Sequence, residues 1–140
     1  MENTLLCLGF GYTARALAPL LLGQGWRGIG TSREAADMPG VEMITWPGNR
    51  ISLAGVTHIL SSIGPDAGGD PCLAQLGAEI ASSAPDLEWV GYLSTTAVYG
   101  DRNGTWVDEA TEVAPTSERG HWRVTAEAQW QAIPDLPLHI

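Results

Sequence analysis

The sequence predicts an α/β fold in which a parallel β-sheet is covered by helices on both faces. Two observations support this prediction. Short apolar segments of strand length alternate along the chain with longer segments whose apolar residues recur every three or four positions, and such alternation favours a parallel sheet with helical connections. A chain of 140 residues also corresponds to one domain, 1–140, that is large enough to bury a hydrophobic core.

The first strand leads into a glycine-rich turn and then into a helix, and this start predicts a doubly wound, Rossmann-type sheet that binds a dinucleotide. Gly9 allows a tight turn, Gly11 lets the backbone approach a pyrophosphate, and Ala14 lets helix and strand pack closely. The amides of the first helical turn would point at the phosphates. The turn contributes six candidate cofactor-binding residues: Gly9, Phe10, Gly11, Tyr12, Thr13 and Ala14.

The helix after this turn has one apolar stripe at three-to-four spacing, formed by Ala14, Leu17, Ala18, Leu21 and Leu22. Gly23 and Gly25 end it. Further strands are predicted at residues 28–31, 41–46, 57–61, 89–94 and 136–140, with a loop at 62–70. The segment at 32–40 is too short for a long helix.

Two more helices are predicted. The first spans residues 72–83, and its apolar members are Leu73, Leu76, Ala78 and Ile80. The second begins near Ser117, with Thr116 or Ser117 as its cap, and runs to residue 133 before Pro134. Its apolar face comprises Trp122, Ala126, Trp130 and Ile133, and we interpret both tryptophans as core residues. The chain ends inside the last predicted strand, so we expect a piece cut before a further domain.

Composition excludes several classes of function. The formal net charge is −9 with only seven Lys plus Arg, which argues against a nucleic-acid partner and against anionic membranes. There is no apolar run of membrane-spanning length and no secretory signal pattern, so we expect a cytoplasmic protein. Cys7 and Cys72 have neither redox nor zinc spacing and are predicted to be buried thiols. Asp66 and Asp70 are interpreted as turn residues, and no metal site is expected.

The end of the second strand indicates which dinucleotide is bound. A site that prefers NAD commonly has an acidic residue there, which accepts a hydrogen bond from the ribose 2′-hydroxyl. This chain has Thr31, Ser32 and Arg33 instead. Ser32 and Arg33 could hold a 2′-phosphate through charge-assisted hydrogen bonds. The sequence therefore favours NADP over NAD, the alternative being that Arg33 is an ordinary surface charge.

A second motif is the segment LSTTAVYG at residues 93–100, followed by Asp101, Trp106-Val107-Asp108-Glu109, Pro115, Arg119, Arg123 and Ala126-Glu127. Together with the glycine turn, this motif resembles the extended and atypical short-chain dehydrogenase/reductases, the NAD(P)-dependent epimerase/dehydratase group. The resemblance covers essentially the whole chain and is nearest to a branch labelled as nucleoside-diphosphate-sugar epimerases.

The resemblance implies a Rossmann fold whose sixth strand leads into a smaller C-terminal substrate domain. It implies a small-molecule substrate such as a nucleotide sugar, and a cofactor lined by Ser62, Ile63 and Gly64, with Pro65 following. Thr95 would be the residue that hydrogen-bonds a substrate oxygen. Thr95, Arg119 and Arg123 are accordingly the candidate catalytic residues.

The chain departs from the family in two places. The turn is G-x-G-x-x-A instead of G-x-x-G-x-x-G, and the Tyr-x-x-x-Lys pair is replaced by Arg119 and Arg123. Arginine stays protonated, so Arg119 cannot act as a base at neutral pH, whereas Arg123 can still hold a ribose or a phosphate. Tyr99 and His121 are candidate substitutes for the proton relay. Three hypotheses remain open: an oxidoreductase, epimerase or dehydratase; an NADP-binding module without turnover; and a truncated piece.

Overall fold

The computed structural model describes residues 2–140 and contains one six-stranded sheet in which all paired strands are parallel. The strand order is β3-β2-β1-β4-β5-β6. The strands are β1 (Thr4–Leu8), β2 (Arg27–Ser32), β3 (Val41–Thr45), β4 (His58–Ser61), β5 (Trp89–Tyr92) and β6 (Leu138–His139). The helices are α1 (Tyr12–Leu22), α2 (Pro71–Ser83) and α3 (Glu118–Gln131), with short 3₁₀ turns at Ala84–Asp86 and Thr96–Tyr99. This architecture confirms the predicted Rossmann-type, doubly wound fold.

The strand order determines where a ligand-binding crevice is expected. From β1 the chain builds the sheet in one direction through β2 and β3, and then returns to add β4 on the other side of β1. The connections that leave β1 and β4 therefore diverge. In open parallel sheets, the crevice at such a point, beyond the carboxyl ends of the strands, is where ligands bind.

The central strands of the sheet have apolar residues on both faces because helices cover both faces of the sheet. In β1, Leu6 and Leu8 pack into the cluster that includes Ile80 of α2 and Trp130 of α3. Leu5 and Cys7 point to the opposite face, with Ala14 and Ala18 of α1. The unbroken apolar run of β1 is thus the expected pattern of a central parallel strand.

Most predicted elements are confirmed, and the differences have local causes. β6 comprises only Leu138 and His139, since Pro137 has no N–H to extend the ladder. β5 ends at Tyr92, two residues earlier than predicted, where the chain turns toward the 3₁₀ segment. Among the predicted apolar members of α2, Leu76 and Ile80 are buried together with Cys72, whereas Ala78 lies on the exposed side.

Asp70 links three elements and is almost completely buried. Its Oδ1 caps α2 by accepting from the amides of Cys72 (2.8 Å) and Leu73 (3.1 Å). Its Oδ2 accepts from Nε1 of Trp130 on α3 (2.9 Å), and its own amide donates to Oε1 of Gln129 (2.8 Å). Asp70 therefore holds the loop after β4 to both α2 and α3. It was predicted to be a turn residue, and it is instead the N-cap of α2.

Two further structural predictions, on the cysteines and on Asp66, are confirmed. Both cysteines are buried free thiols, and burial raises the pKa of Cys7 and of Cys72 to about 12. Asp66 accepts from the amide of Gly68 (2.7 Å) in a tight turn. Within residues 2–140, no three His, Cys, Asp or Glu side chains come together as metal ligands could. No helix in this part of the chain is long and apolar enough to span a membrane.

Asp70→Ala is expected to lower the free energy of unfolding by about 2–4 kcal/mol, because it removes the cap of α2 and leaves the buried indole N–H of Trp130 without an acceptor. Urea unfolding, followed by tryptophan fluorescence, measures this loss. Asp66→Ala is the matched control, since it removes only an exposed turn contact and should cost about 0.5 kcal/mol or less. Equal effects of the two substitutions would contradict the linking role of Asp70.

Candidate functional site

The glycine turn after β1 is held by the two neighbouring strands. Gly9 has φ +90°, and its amide donates to Oγ1 of Thr31 at the end of β2 (2.8 Å). The amide of Phe10 donates to the carbonyl of Thr31 (2.8 Å), and Oγ of Ser62 donates to the carbonyl of Gly9 (2.9 Å). A Cβ at Gly9 would lie 2.9 Å from Oγ of Ser62 and from Cγ1 of Ile63. The fold itself therefore requires glycine at position 9.

Gly11 is different, because no contact among residues 2–140 requires glycine there. Its φ is −96°, and a Cβ built on it meets no heavy atom within 4 Å. Gly11 is the N-cap of α1, has no side chain to cap the helix, and is followed by a first turn without acidic residues. The first amides of α1 thus face open space without a side-chain acceptor, as an anion site at a helix N-terminus requires.

The turn opens onto a groove of about 470 Å³, here called the first groove. It is formed by the turn after β1, the carboxyl ends of β2 and β3, and the loop after β4. The lining contains one cation and no carboxylate. It comprises Gly9, Phe10, Gly11, Thr31, Ser32, Arg33, Trp46, Ile63 and Gly64.

Seven of the predicted cofactor-binding residues line this groove, and four do not. Ala14 is buried and packs α1 against the sheet, as its small size predicted. Ser62 supports the turn from behind through its bond to Gly9. Tyr12 and Thr13 lie exposed on the first turn of α1 and are not part of the lining.

Trp46 lines the first groove and was not predicted from the sequence. It follows β3, and its amide donates to the carbonyl of Ser32 (2.8 Å). The parallel register pairs Ser32 with Thr45, so the residues that follow, Arg33 and Trp46, emerge side by side. That register was the signal from which the position of Trp46 could have been inferred.

A second groove of about 530 Å³ lies beside the first and shares Gly64 with it. It brings together the three candidate catalytic residues, which come from the end of β5 and from α3. This lining also contains no carboxylate. It comprises Gly64, Pro65, Thr95, Ala97, Ser117, Arg119, Trp122 and Arg123.

Thr95 begins the 3₁₀ turn that follows β5. Its Oγ1 accepts from the amide of Ala97 (3.3 Å) and its side chain is exposed to the groove. The neighbouring Ser94 donates through Oγ to the carboxylate of Glu127 on α3. This bond, which the sequence did not reveal, fixes the residue before Thr95 against the helix that carries the two arginines.

Arg123 is anchored at the junction of the grooves. Its Nη1 donates to the hydroxyl of Tyr92 (3.1 Å) and to the carbonyl of Leu93 (2.9 Å), and its guanidinium lies 5.6 Å from the centre of the Tyr92 ring. Its Nη2 lies 3.8 Å from the place a Cβ would occupy on Gly64. Burial raises the pKa of Tyr92 and Arg123 opposes that shift, so this hydroxyl is protonated at neutral pH.

Three further sequence interpretations concern this groove. Trp122 was interpreted as a core residue, but it is only half-buried and lines the groove at the N-terminal end of α3. Tyr99 lines a different groove, and His121 is exposed, with Nδ1 donating to the carbonyl of Ser117 (2.8 Å). Neither lines the second groove, where the polar groups are two hydroxyls and two guanidinium groups.

Several solved structures share this fold. A functionally unknown conserved protein from Silicibacter pomeroyi is 57% identical, with a TM-score of 0.92, over 99% of this chain and 52% of that one. A UDP-glucuronic acid 4-epimerase from Bacillus cereus in complex with NAD has a TM-score of 0.74 at 15% identity, over 96% of this chain and 54% of that one. A dTDP-glucose 4,6-dehydratase from Bacillus anthracis in complex with NAD has a TM-score of 0.68 at 17% identity, over 99% and 53%.

The chain spans about half the length of these solved structures. No protein-family model and no curated protein matched it. The two enzymes are similar to this chain in fold, and both were solved with a dinucleotide. The fold of the chain is therefore the Rossmann-type fold that also forms about half of these epimerase and dehydratase chains.

Substitution of the two glycines of the turn is expected to affect stability differently. Gly9→Ala is expected to lower the free energy of unfolding by about 1–3 kcal/mol, because the new Cβ collides with the loop after β4 and the positive φ is strained. Gly11→Ala should change it by less than about 1 kcal/mol, since φ is ordinary and the space is open. Urea unfolding of both variants tests this, and a large loss for Gly11→Ala would show that the fold needs this glycine too.

Proposed function

We propose that this chain is the nicotinamide-dinucleotide-binding domain of an epimerase/dehydratase-like short-chain dehydrogenase/reductase. One observation carries the proposal. At the point where the strand order reverses, the first groove, with its glycine turn and uncapped helix N-terminus, meets at Gly64 a second groove that contains the three candidate catalytic residues. Cofactor and substrate would thus lie end to end.

The residues of the first groove fit a dinucleotide. The open space at Gly11 and the free backbone amides of Tyr12 and Thr13, at the start of α1, suit a pyrophosphate. A carboxylate would repel that anion, and the lining of the groove contains none. Ser32 and Arg33 would face the adenosine ribose at the end of β2. When bound, the cofactor supplies a nicotinamide ring that accepts or donates a hydride.

The residues of the second groove would position the substrate beside that ring. Thr95 would donate a hydrogen bond to the substrate oxygen at the reacting carbon. Arg123, whose Nη2 faces Gly64, would hold the nicotinamide ribose as a cation. Arg119 would face the substrate and stabilise negative charge, because a guanidinium keeps its proton at neutral pH. A sugar nucleotide or another small carbonyl compound is the substrate class proposed.

For the cofactor we propose NADP(H). The two enzymes of similar fold were solved with NAD, so this preference depends on the end of β2 in this chain. Ser32 and Arg33 both line the groove there, no carboxylate does, and Arg33 makes no ion pair with any residue between 2 and 140. A 2′-phosphate would meet a cation and a hydroxyl instead of an acidic side chain.

NADPH is expected to bind about tenfold more tightly than NADH, because charge-assisted hydrogen bonds to the 2′-phosphate contribute about 1.5 kcal/mol or more. Energy transfer from tryptophan to the reduced nicotinamide gives the titration, since Trp46 lines the groove. Arg33→Ala should abolish the preference and Gly11→Ala should weaken binding of both cofactors. Arg50→Ala, an exposed arginine outside the groove, is the matched control.

Two results would count against the cofactor proposal in different ways. If the folded protein bound neither reduced cofactor, the first groove would not be a dinucleotide site in this chain. If both bound equally well and Arg33→Ala changed neither affinity, the site would be one for a dinucleotide without NADP preference.

A second candidate function is dinucleotide binding without turnover, as in a sensor. The observation that favours it is the set of groups in the second groove, which has no phenol, imidazole or carboxylate to relay a proton. Tyr99 and His121, the two substitutes considered, both lie elsewhere. Thr95 and Ser117 have hydroxyls that do not ionise at neutral pH.

Turnover separates the two candidates. If the domain is catalytic, NADPH is consumed with a carbonyl or nucleotide-sugar substrate, and Thr95→Ala lowers kcat/KM about 100-fold, as loss of a positioned donor does. Thr96→Ala is the matched control, because Thr96 is an exposed neighbour outside the groove lining. Tight NADPH binding without consumption of any such substrate would instead support the sensor.

A further inference from the structure

The positive charges of this chain are distributed unevenly. All seven cationic side chains are arginines, set against sixteen Asp plus Glu. Three of the seven, Arg33, Arg119 and Arg123, line the two grooves, and neither lining contains an acidic residue. A chain with a formal net charge of −9 thus keeps a local cationic surface where the grooves meet.

The other four arginines have contacts or positions elsewhere. Arg27 forms an ion pair with Glu42 (2.5 Å), and Arg15 lies 5.7 Å from the centre of the Phe10 ring. Arg102 donates to the carbonyls of Tyr99 (2.9 Å) and Glu112. Arg50 lines a separate groove. Arg119 is exposed and, within residues 2–140, no hydrogen-bond or ion-pair partner is found for its side chain. Its five donors are available to a ligand.

Arg119 and Arg123 are four residues apart on α3, so they lie on the same face of the helix. Two like charges at this spacing destabilise a helix. The next carboxylate on that face, Glu127, accepts from Ser94 and forms no ion pair with Arg123 among the described residues. The chain therefore places two guanidinium groups side by side without neutralising them.

The remaining lining suits an organic anion. Trp122 is half-buried between the two arginines in sequence and supplies an apolar wall. Thr95 supplies a hydroxyl across the groove from α3, on the 3₁₀ turn after β5. Arg123 is held rigidly by Tyr92 and Leu93, so it offers a fixed positive charge, whereas Arg119 is the group with unused planar donors.

We propose that the second groove is an oxyanion site, in which Arg119 binds a carboxylate or a phosphate carried by the substrate, while Arg123, held beside the proposed ribose position, adds a fixed positive charge. A guanidinium binds either group through two parallel hydrogen bonds. This inference rests on the proposed function, because it takes this groove to be the substrate site, and it adds the charge of the substrate class. It also gives Arg119 a role that a permanently protonated side chain can perform, namely binding an anion.

Ligand pairs that differ by one acidic group test the proposal by calorimetry, with and without NADPH, and the acid-to-neutral ratio of each pair compares the affinity with that group to the affinity without it. D-glucuronate against D-glucose tests a sugar carboxylate, and UDP-glucuronic acid against UDP-glucose tests the same carboxylate on two ligands that share a diphosphate. Glucose 1-phosphate against glucose tests a phosphate. In the pair that matches the substrate, the acidic member should bind about tenfold more tightly, because a charge-assisted hydrogen bond contributes about that factor.

Arg119→Gln should erase this acid-to-neutral ratio, and Arg119→Lys should restore part of it, since a lysine keeps the charge but loses the two parallel donors. Arg50→Gln is the matched control and should leave the ratio unchanged, because Arg50 lies in a separate groove. Arg119 is exposed and has a like charge four residues away, so the urea midpoint of Arg119→Gln should be no lower than that of the unsubstituted protein.

The proposal is overturned if no acidic ligand binds better than its neutral partner, or if Arg119→Gln leaves the ratio intact. The proposed function has separate readouts. Loss of NADPH binding with an intact, Arg119-dependent ratio would refute the dinucleotide domain and keep the oxyanion site. If NADPH binding depended on Arg33 and no acidic ligand bound better than its partner, the oxyanion site would be refuted and the dinucleotide domain kept.

Discussion

The buried carboxylate of Asp70 is the contact on which the arrangement of the site depends. It caps α2, accepts from Trp130 of α3, and its backbone amide bonds to Gln129. The loop that ends at Asp70 contains Gly64, which both grooves share, and α3 carries Arg119 and Arg123. These elements can move little relative to one another, because a shift would break a hydrogen bond of Asp70 and leave a buried polar group unpaired, which is costly. The distance between the first groove and the arginine pair is therefore set from inside the core.

The glycine turn shows how a fold requirement is separated from a ligand requirement. Gly9 is needed by the protein, since its backbone has a positive φ and a Cβ would meet the loop after β4. Gly11 has an ordinary φ and open space in front of it. A residue type that the chain does not need for its own packing is best explained by what approaches from outside. The absent Cβ at position 11 is for this reason the stronger indication of a bound pyrophosphate.

Features encoded within a few neighbouring residues could be predicted, and tertiary ones could not. The strands, the stripe of α1 and the glycine turn follow from local periodicity and turn chemistry. The bond between Asp70 and Trp130 joins residues 60 positions apart and has no local signal. Helical spacing put Trp122 and Trp130 on one face, but the sheet covers only the second of them. The orientation of Tyr99 away from the second groove was equally invisible, whereas the parallel register of β2 and β3 did contain the position of Trp46.

In the proposed family assignment, Arg119 and Arg123 stand where the family has its proton-relay pair, and this difference changes the chemistry of the groove. A guanidinium stabilises negative charge and does not release its proton near neutral pH. Arg119 can therefore bind an anionic substrate or steady charge that develops on it, but it cannot take a proton from it. Under the proposals above, the missing proton relay and the oxyanion site are two consequences of the same pair of arginines. If turnover occurs, the proton must pass through the hydroxyl groups of the groove or through water, and Arg119 contributes only to binding and charge stabilisation.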